Sequence, residues 1–200
     1  GTIDSFIDAL LALQFLRLRV DTPTQRIVLF GNGGGTSVLA TDYFADLGLD
    51  VAPFSEPTQA EMAKLDLPPG NSLANPIDTP VRTLQQEEGR IAGTILDIVY
   101  RREDPDALLF HLNLSSFVGR GSADSVGNLI QAALAVRASH QGQSHLAVAL
   151  RTDGSEELEA EKRRYRTLFQ DAGIPVFDEI PQAADALAAV KHLETRLAAK

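Results

Sequence analysis

The 200-residue chain contains no cysteine and no tryptophan, has a single methionine, and is only 6% aromatic. Without cysteine there is no disulfide framework, no thiolate zinc or iron–sulfur site and no thiol nucleophile, and a reducing compartment is allowed. Basic residues are in the minority: 18 Lys and Arg against 27 Asp and Glu, a formal charge of −9 with an isoelectric point near 4.9. An acidic surface repels nucleic-acid duplexes and anionic membranes alike, so neither is expected as a partner. No apolar run approaches the roughly 18 residues of a membrane span; the stretch from Ala9 to Leu13 soon gives way to Gln14, Arg17 and Arg19. What the chain does have is 44% hydrophobic and 22% charged residues. That is the composition of a globular protein, at the length of one ordinary domain. It opens on Gly1 and enters a helical pattern at once, so residues 1–200 are expected to be one domain excised from a longer chain, with a leading helix within residues 1–20.

Hydrophobic periodicity orders the rest. Ile3, Phe6, Ile7, Leu10, Leu11 and Leu13 recur at helical spacing, with Asp4 and Ser5 near the entrance. If that apolar helix does not fold onto the sheet, it should mark a domain or subunit interface. Ile27 to Phe30 reads as a strand buried on both faces, and a helical period resumes from Val38 to Leu47. Val51 to Phe54 reads as a weak second strand, Pro57 to Leu65 as a short helix, and Asn75 to Pro80 as a loop. A helix is predicted from Leu84 to Tyr100, a third strand over Ala107 to Phe110, and a helix over Ser125 to Ala138. A fourth strand over Leu146 to Leu150, a helix ending at Gly173, a fifth strand over Pro175 to Phe177 and a closing helix over Pro181 to Leu197 complete the pattern. Strands alternating with helices predict an α/β, doubly wound, flavodoxin-like fold: five parallel strands in the order 2-1-3-4-5, with helices on both faces. In that arrangement ligands bind at the carboxyl ends of strands one and three.

One segment stands at that point: Phe30-Gly31-Asn32-Gly33-Gly34-Gly35-Thr36-Ser37. Glycines admit left-handed backbone and let an anion approach without a Cβ in the way. The first helical turn beyond them leaves N–H donors unpaired, and the macrodipole adds about half a positive charge. A phosphate group suits such a loop even without a nearby Lys or Arg. The plainer reading is a tight strand-to-helix turn that binds nothing. Named nucleotide loops fit poorly, since no Lys follows the glycines and Thr36 occupies the third glycine position of the dinucleotide pattern.

Asn32-Gly33-Gly34-Gly35-Thr36-Ser37-Val38-Leu39-Ala40-Thr41-Asp42 resembles the loop and helix of the NDP-forming acyl-CoA synthetases, relatives of succinyl-CoA synthetase. Leu67-Pro68-Pro69-Gly70 and Asn75-Pro76-Ile77-Asp78 resemble that family's Leu-Pro-Pro and Asn-Pro-Val-Asp segments in the same order, and Phe6 to Leu13 resembles its introducing helix. The resemblance implies the third, flavodoxin-like domain of the CoA-ligase half of an enzyme that interconverts acyl-CoA, NDP and phosphate with acid, CoA and NTP. There an acyl phosphate forms, and a histidine of a neighbouring domain carries the phosphoryl group to the nucleotide. Asn32, Gly33, Gly34, Gly35, Thr36 and Ser37 would line the phosphoryl site, Ser37 standing where the family usually has glycine. Phosphate, CoA, magnesium and NDP or NTP would serve the complete enzyme, none held tightly here. The partners implied are CoA-binding, histidine-bearing and nucleotide-grasp domains. The carrier histidine would lie upstream, so no catalytic residue is expected in this chain.

Other groups carry less. His111 follows strand three, and Gly119-Arg120-Gly121-Ser122 would add a guanidinium and a second helix N-terminus; a solvated loop with a cap at Ser122 is the plainer reading. Asp78 would orient a ligand or magnesium, or close its own turn. Asp78, Arg120 and Ser122 are thus accessory candidates. His140 and His145 lack the spacing of a metal pair, and no metal site is expected. Strand three ends Phe110-His111-Leu112 without a receiver's phosphoacceptor Asp, and the first loop lacks a flavodoxin's Ser/Thr-rich cradle. The remaining alternative is a free-standing module that binds a small phosphorylated ligand for regulation.

Overall fold

The computed structural model describes residues 2–118, 124–140 and 144–199. The chain opens with α1 (Ile3–Phe15), whose cap Thr2 accepts a hydrogen bond from the Ser5 N–H. It continues through β1 (Ile27–Gly31), α2 (Gly34–Asp46) and α3 (Glu56–Met62) to β2 (Ile77–Asp78). Next come α4 (Val81–Leu84), α5 (Arg90–Glu103), β3 (Ala107–Asn113) and α6 (Ser125–Ser139). The closing elements are β4 (His145–Arg151), α7 (Glu156–Asp171), β5 (Val176–Phe177) and α8 (Ile180–Ala198). All five strands are parallel, in the order β2-β1-β3-β4-β5, with helices on both faces. No helix among the described residues is long and apolar enough to cross a membrane.

The strands are buried throughout, and alternate residues serve opposite cores. Val28, Phe30, Leu108, Phe110 and Leu112 pack against α5, α6 and α7, with Phe30 and Phe110 ring centroids 5.3 Å apart. Ile27, Leu29, Ala107, Leu109, Ala147 and Ala149 face α1, α2 and α8. Alanines at Ala183, Ala184 and Ala186 of α8 meet the alanines of β3 and β4 on that side, so the helix sits close to the sheet.

The structure departs from the sequence expectations at three places. Residues 51–54 form no strand; the second strand is Ile77–Asp78, inside the segment read as a loop. Asn75 explains both. Its side-chain carbonyl accepts from Leu29 N–H at 3.0 Å, while its amide nitrogen donates to Ile27 O at 2.8 Å and Ala52 O at 3.0 Å. The side chain thus occupies the edge of β1 where residues 51–54 would pair, and the chain that follows pairs with Phe30 and Gly31. The predicted helix over Leu84 to Tyr100 is also interrupted. Glu87, Glu88 and Gly89 are left-handed, and a Cβ on Gly89 would sit 2.8 Å from Leu129 N, so α5 starts only at Arg90 where the chain crosses α6.

Glu194 of α8 ties the amino-terminal side of the domain together. Fully buried, it accepts from Arg19 N–H at 2.8 Å, Thr24 N–H at 2.7 Å and His145 Nε2 at 3.1 Å. Burial opposes its charge, but the bonds from His145, Thr24 and Arg19 outweigh that and hold its carboxyl below the ordinary glutamate range. α1 lies against α8 and buries only Ala12; Phe6 remains 63% and Leu10 50% exposed.

Two outcomes follow from this packing. Phe44→Ala, in the closed core, should cost about 3–5 kcal/mol in denaturant unfolding, while Phe6→Ser should cost less than about 0.5 kcal/mol. The unfolded chain binds protons at Glu194 more readily than the native one, so native stability should fall as pH drops below about 4.3. Glu194→Gln should flatten that fall and cost roughly 1–3 kcal/mol at neutral pH.

Candidate functional site: the glycine loop after the first strand

The loop begins with a contact that tolerates only glycine. Gly31 pairs with His111 across β1 and β3, and a Cβ at Gly31 would lie 2.1 Å from the His111 carbonyl oxygen. Asn32 then extends the pairing with its side chain: Oδ1 accepts from Asn113 N–H at 2.9 Å and Nδ2 donates to Asn113 O at 3.3 Å. Gly33 turns the chain out of the sheet at φ 125°, and its N–H donates to Asp78 Oδ1 at 2.7 Å. Asp78, at the end of β2, therefore closes the loop itself.

Helix α2 follows with no side-chain cap and no acidic residue in its first turn. Thr36 N–H and Ser37 N–H both donate to Gly33 O, at 3.0 and 3.1 Å. Among the described residues Gly35 N–H has no protein acceptor, and a Cβ on Gly35 would meet nothing within 4 Å. The helix end thus leaves the Gly35 N–H facing open space, with the Asp78 carboxylate at the N-cap amide offsetting part of the dipole.

Ser37 is turned inward. It is buried, and its hydroxyl lies 3.2 Å from His111 Nε2. His111, read from the sequence as following the strand, lies within β3; burial pushes its pKa down to about 4, so the ring is neutral at physiological pH. Thr36 lines a narrow crevice with Asn32, His111, Asn113, Arg151 and Glu179, about 20 Å³ in volume and sized for one water-like group. Arg151, Asn113 and Glu179 were missed by the sequence reading, although each lies at the carboxyl end of its strand or just beyond. Arg151 pairs with Glu179 at 3.5 Å.

The structure brings residues 32–37, Asp78 and His111 together at one end of the sheet. Arg120 and Ser122 lie outside the described residues, and α6 takes Asp124 as its cap, accepting from Gly127 N–H at 3.0 Å. His140 is bonded to Asp97 at 2.9 Å and stacks on Tyr100, and His145 is held by Glu194. Among the described residues no three His, Asp or Glu side chains are placed to hold a metal.

No protein-family model matches the chain, and no curated protein matches it significantly. Solved structures define its class: an α/β fold shared with one part of much longer proteins. Protein PH0766 from Pyrococcus horikoshii OT3 superimposes on the whole chain with a TM-score of 0.77 at 18% identity, over 41% of its own length. The dinucleotide-forming acetyl-coenzyme A synthetase 1 of Candidatus Korarchaeum cryptofilum does so with a TM-score of 0.72 at 19% identity in its apo form, over 39% of its length. The same synthetase in complex with phosphate and ADP gives 0.72 at 20%, over 38%. The chain therefore has the fold of a domain of such a synthetase and spans about two-fifths of the length of these structures.

Two measurements test the local geometry. The unfolded chain protonates His111 near pH 6.5 and the native one near 4, so stability is full above 6.5 and should fall by about 3 kcal/mol as pH drops to 4; NMR titration of the ring should show no midpoint above 5. Gly31→Ala should destabilise by more than about 2 kcal/mol in thermal unfolding, because the clash is with backbone.

Proposed function

We propose that this chain is the phosphoryl-site domain of an NDP-forming acyl-CoA synthetase, the enzyme that converts acyl-CoA, NDP and phosphate to acid, CoA and NTP. The observation that carries the reading is the uncapped start of α2, where Gly35 N–H and the helix dipole face open space at the carboxyl end of β1. Support comes from the likeness in fold to segments of acetyl-coenzyme A synthetase 1, one of whose structures is a complex with phosphate and ADP, and from the sequence resemblance of the loop.

In this account the donors are the Gly34 and Gly35 amides, joined by the Thr36 hydroxyl at the mouth of the crevice. Gly33, Asn32 and Asp78 fix the turn that presents them, and Ser37 braces it from inside against His111. A charge-assisted hydrogen bond contributes about 1.5–3 kcal/mol and the helix dipole about 0.3–1 kcal/mol, enough to steady a phosphoryl group in transit without trapping it. The crevice holds little more than a water, which favours a phosphoryl group presented from outside over a phosphorylated metabolite swallowed whole. The carrier histidine is assigned to another domain, as the sequence resemblance implies; of the four histidines here His111 is buried and neutral, His140 and His145 are engaged elsewhere, and His192 lies exposed in the carboxyl-terminal half of α8. CoA-binding, histidine-bearing and nucleotide-grasp domains supply the remaining chemistry in the cytoplasm, with phosphate, CoA, magnesium and NDP or NTP bound there. The exposed apolar side chains Phe6 and Leu10 of α1 and Val38 and Leu39 of α2 are the surfaces on which such domains would dock.

Titration of the ¹⁵N-labelled chain with inorganic phosphate tests the site. The Gly34 and Gly35 amide signals should move saturably, and Gly35→Val, whose side chain enters open space, should fold normally and bind phosphate at least about fivefold more weakly. Stationary glycine signals in tens of millimolar phosphate would overturn the reading.

A further inference from the structure

A second cavity, about 380 Å³, opens at the opposite end of the sheet, where β4 begins. One wall is formed as the chain leaves α1, where Phe15, Leu16, Leu18 and Val20 give an apolar surface with Arg17 and Arg19 between them. The other carries Arg137 from α6 with Ser144 and His145. The polar groups on that wall divide into two kinds. Arg19, across the cavity, reaches Asp106 at 2.9 Å, and His145 is held by Glu194. Arg137 has no carboxylate within ion-pair distance among the described residues, and its buried Nε has no acceptor. Beside it lie the buried hydroxyls of Ser144 and Tyr100, within reach of one another; burial opposes ionisation of Tyr100, and the Arg137 charge and the Ser144 hydroxyl favour it. Asp21 is exposed at the rim.

In a chain with a net charge of −9, a partly buried guanidinium without a counter-ion among the described residues, its Nε without an acceptor, next to a buried hydroxyl and facing an apolar wall, is unusual chemistry. Buried polar groups are normally satisfied, and an arginine fork matches a planar or tetrahedral anion. The volume lies in the range of small-molecule sites, which pair apolar walls with a few placed polar groups. We propose that this cavity binds a small organic anion, its charged head on Arg137 and Ser144 and a short apolar body against Phe15, Leu16, Leu18 and Val20. The site is independent of the glycine loop, so either can fail without the other.

Hexanoate, hexanol and inorganic phosphate, each titrated into the ¹⁵N-labelled full chain, test it. Hexanoate should shift the Arg137 and Ser144 amides saturably while the Gly35 signal stays still. Hexanol, which lacks the charge, and phosphate, which lacks the apolar body, should each bind there at least tenfold more weakly. Arg137→Gln should weaken hexanoate at least tenfold, the scale of one charge-assisted bond, and Ser144→Ala a few-fold, both without loss of thermal stability. Hexanoate binding unchanged by Arg137→Gln, no hexanoate binding at all, or hexanol or phosphate binding as tightly as hexanoate would each overturn the proposal.

Discussion

The close abutment of β1 on β3 at Gly31 and His111 governs the candidate site. Because the His111 backbone occupies the place of a side chain at Gly31, the two strands stay in register to the very edge of the sheet. Asn32 prolongs that register by one residue through its amide, after which the chain has to leave. Gly33 makes the exit in a conformation that an L side chain resists, and Asp78 anchors its N–H. Helix α2 must then start without a capping side chain, since a glycine stands where a cap would be. An exposed helix end is thus a consequence of how tightly the strands below it are joined.

Burial of His111 extends the same constraint into the core. Kept neutral, its ring faces the Ser37 hydroxyl and couples the floor of the loop to the central strand. A serine in the first turn of α2 therefore lies under the loop instead of on it. Its hydroxyl adds an internal brace, and the face presented to solvent is left to Gly35 and Thr36.

Much of this was legible from residue patterns. Continuous apolar runs at Ile27, Ala107 and Leu146 mark the three central strands, and the glycine run marks the strand-to-helix turn, because burial on both faces and left-handed backbone each restrict residue choice locally. The edge strand was not legible. Two residues are too few for a pattern, and the deciding group is the side chain of Asn75 reaching β1 from 46 residues away. The break before α5 was equally hidden, since Glu87 and Glu88 carry no turn signal and their conformation follows from the crossing of Gly89 over Leu129. At the loop, residue types indicated which groups would gather. Which amides are taken by Gly33 O, and where Ser37 and Asp78 point, depends on tertiary contacts. The buried Arg137 Nε, without an acceptor among the described residues, has no sequence signature, because its surroundings are a property of the assembled fold.

The central claim is that the start of α2 receives a phosphoryl group, and crystals of the chain soaked in phosphate or sulfate address it directly. The account predicts a tetrahedral anion over the loop, with an oxygen about 2.7–3.0 Å from the Gly35 amide nitrogen and a second within reach of the Gly34 amide or the Thr36 hydroxyl. Well-ordered density for residues 33–37 with the Gly35 N–H bonded to protein, or with no anion above it at saturating phosphate, would contradict it.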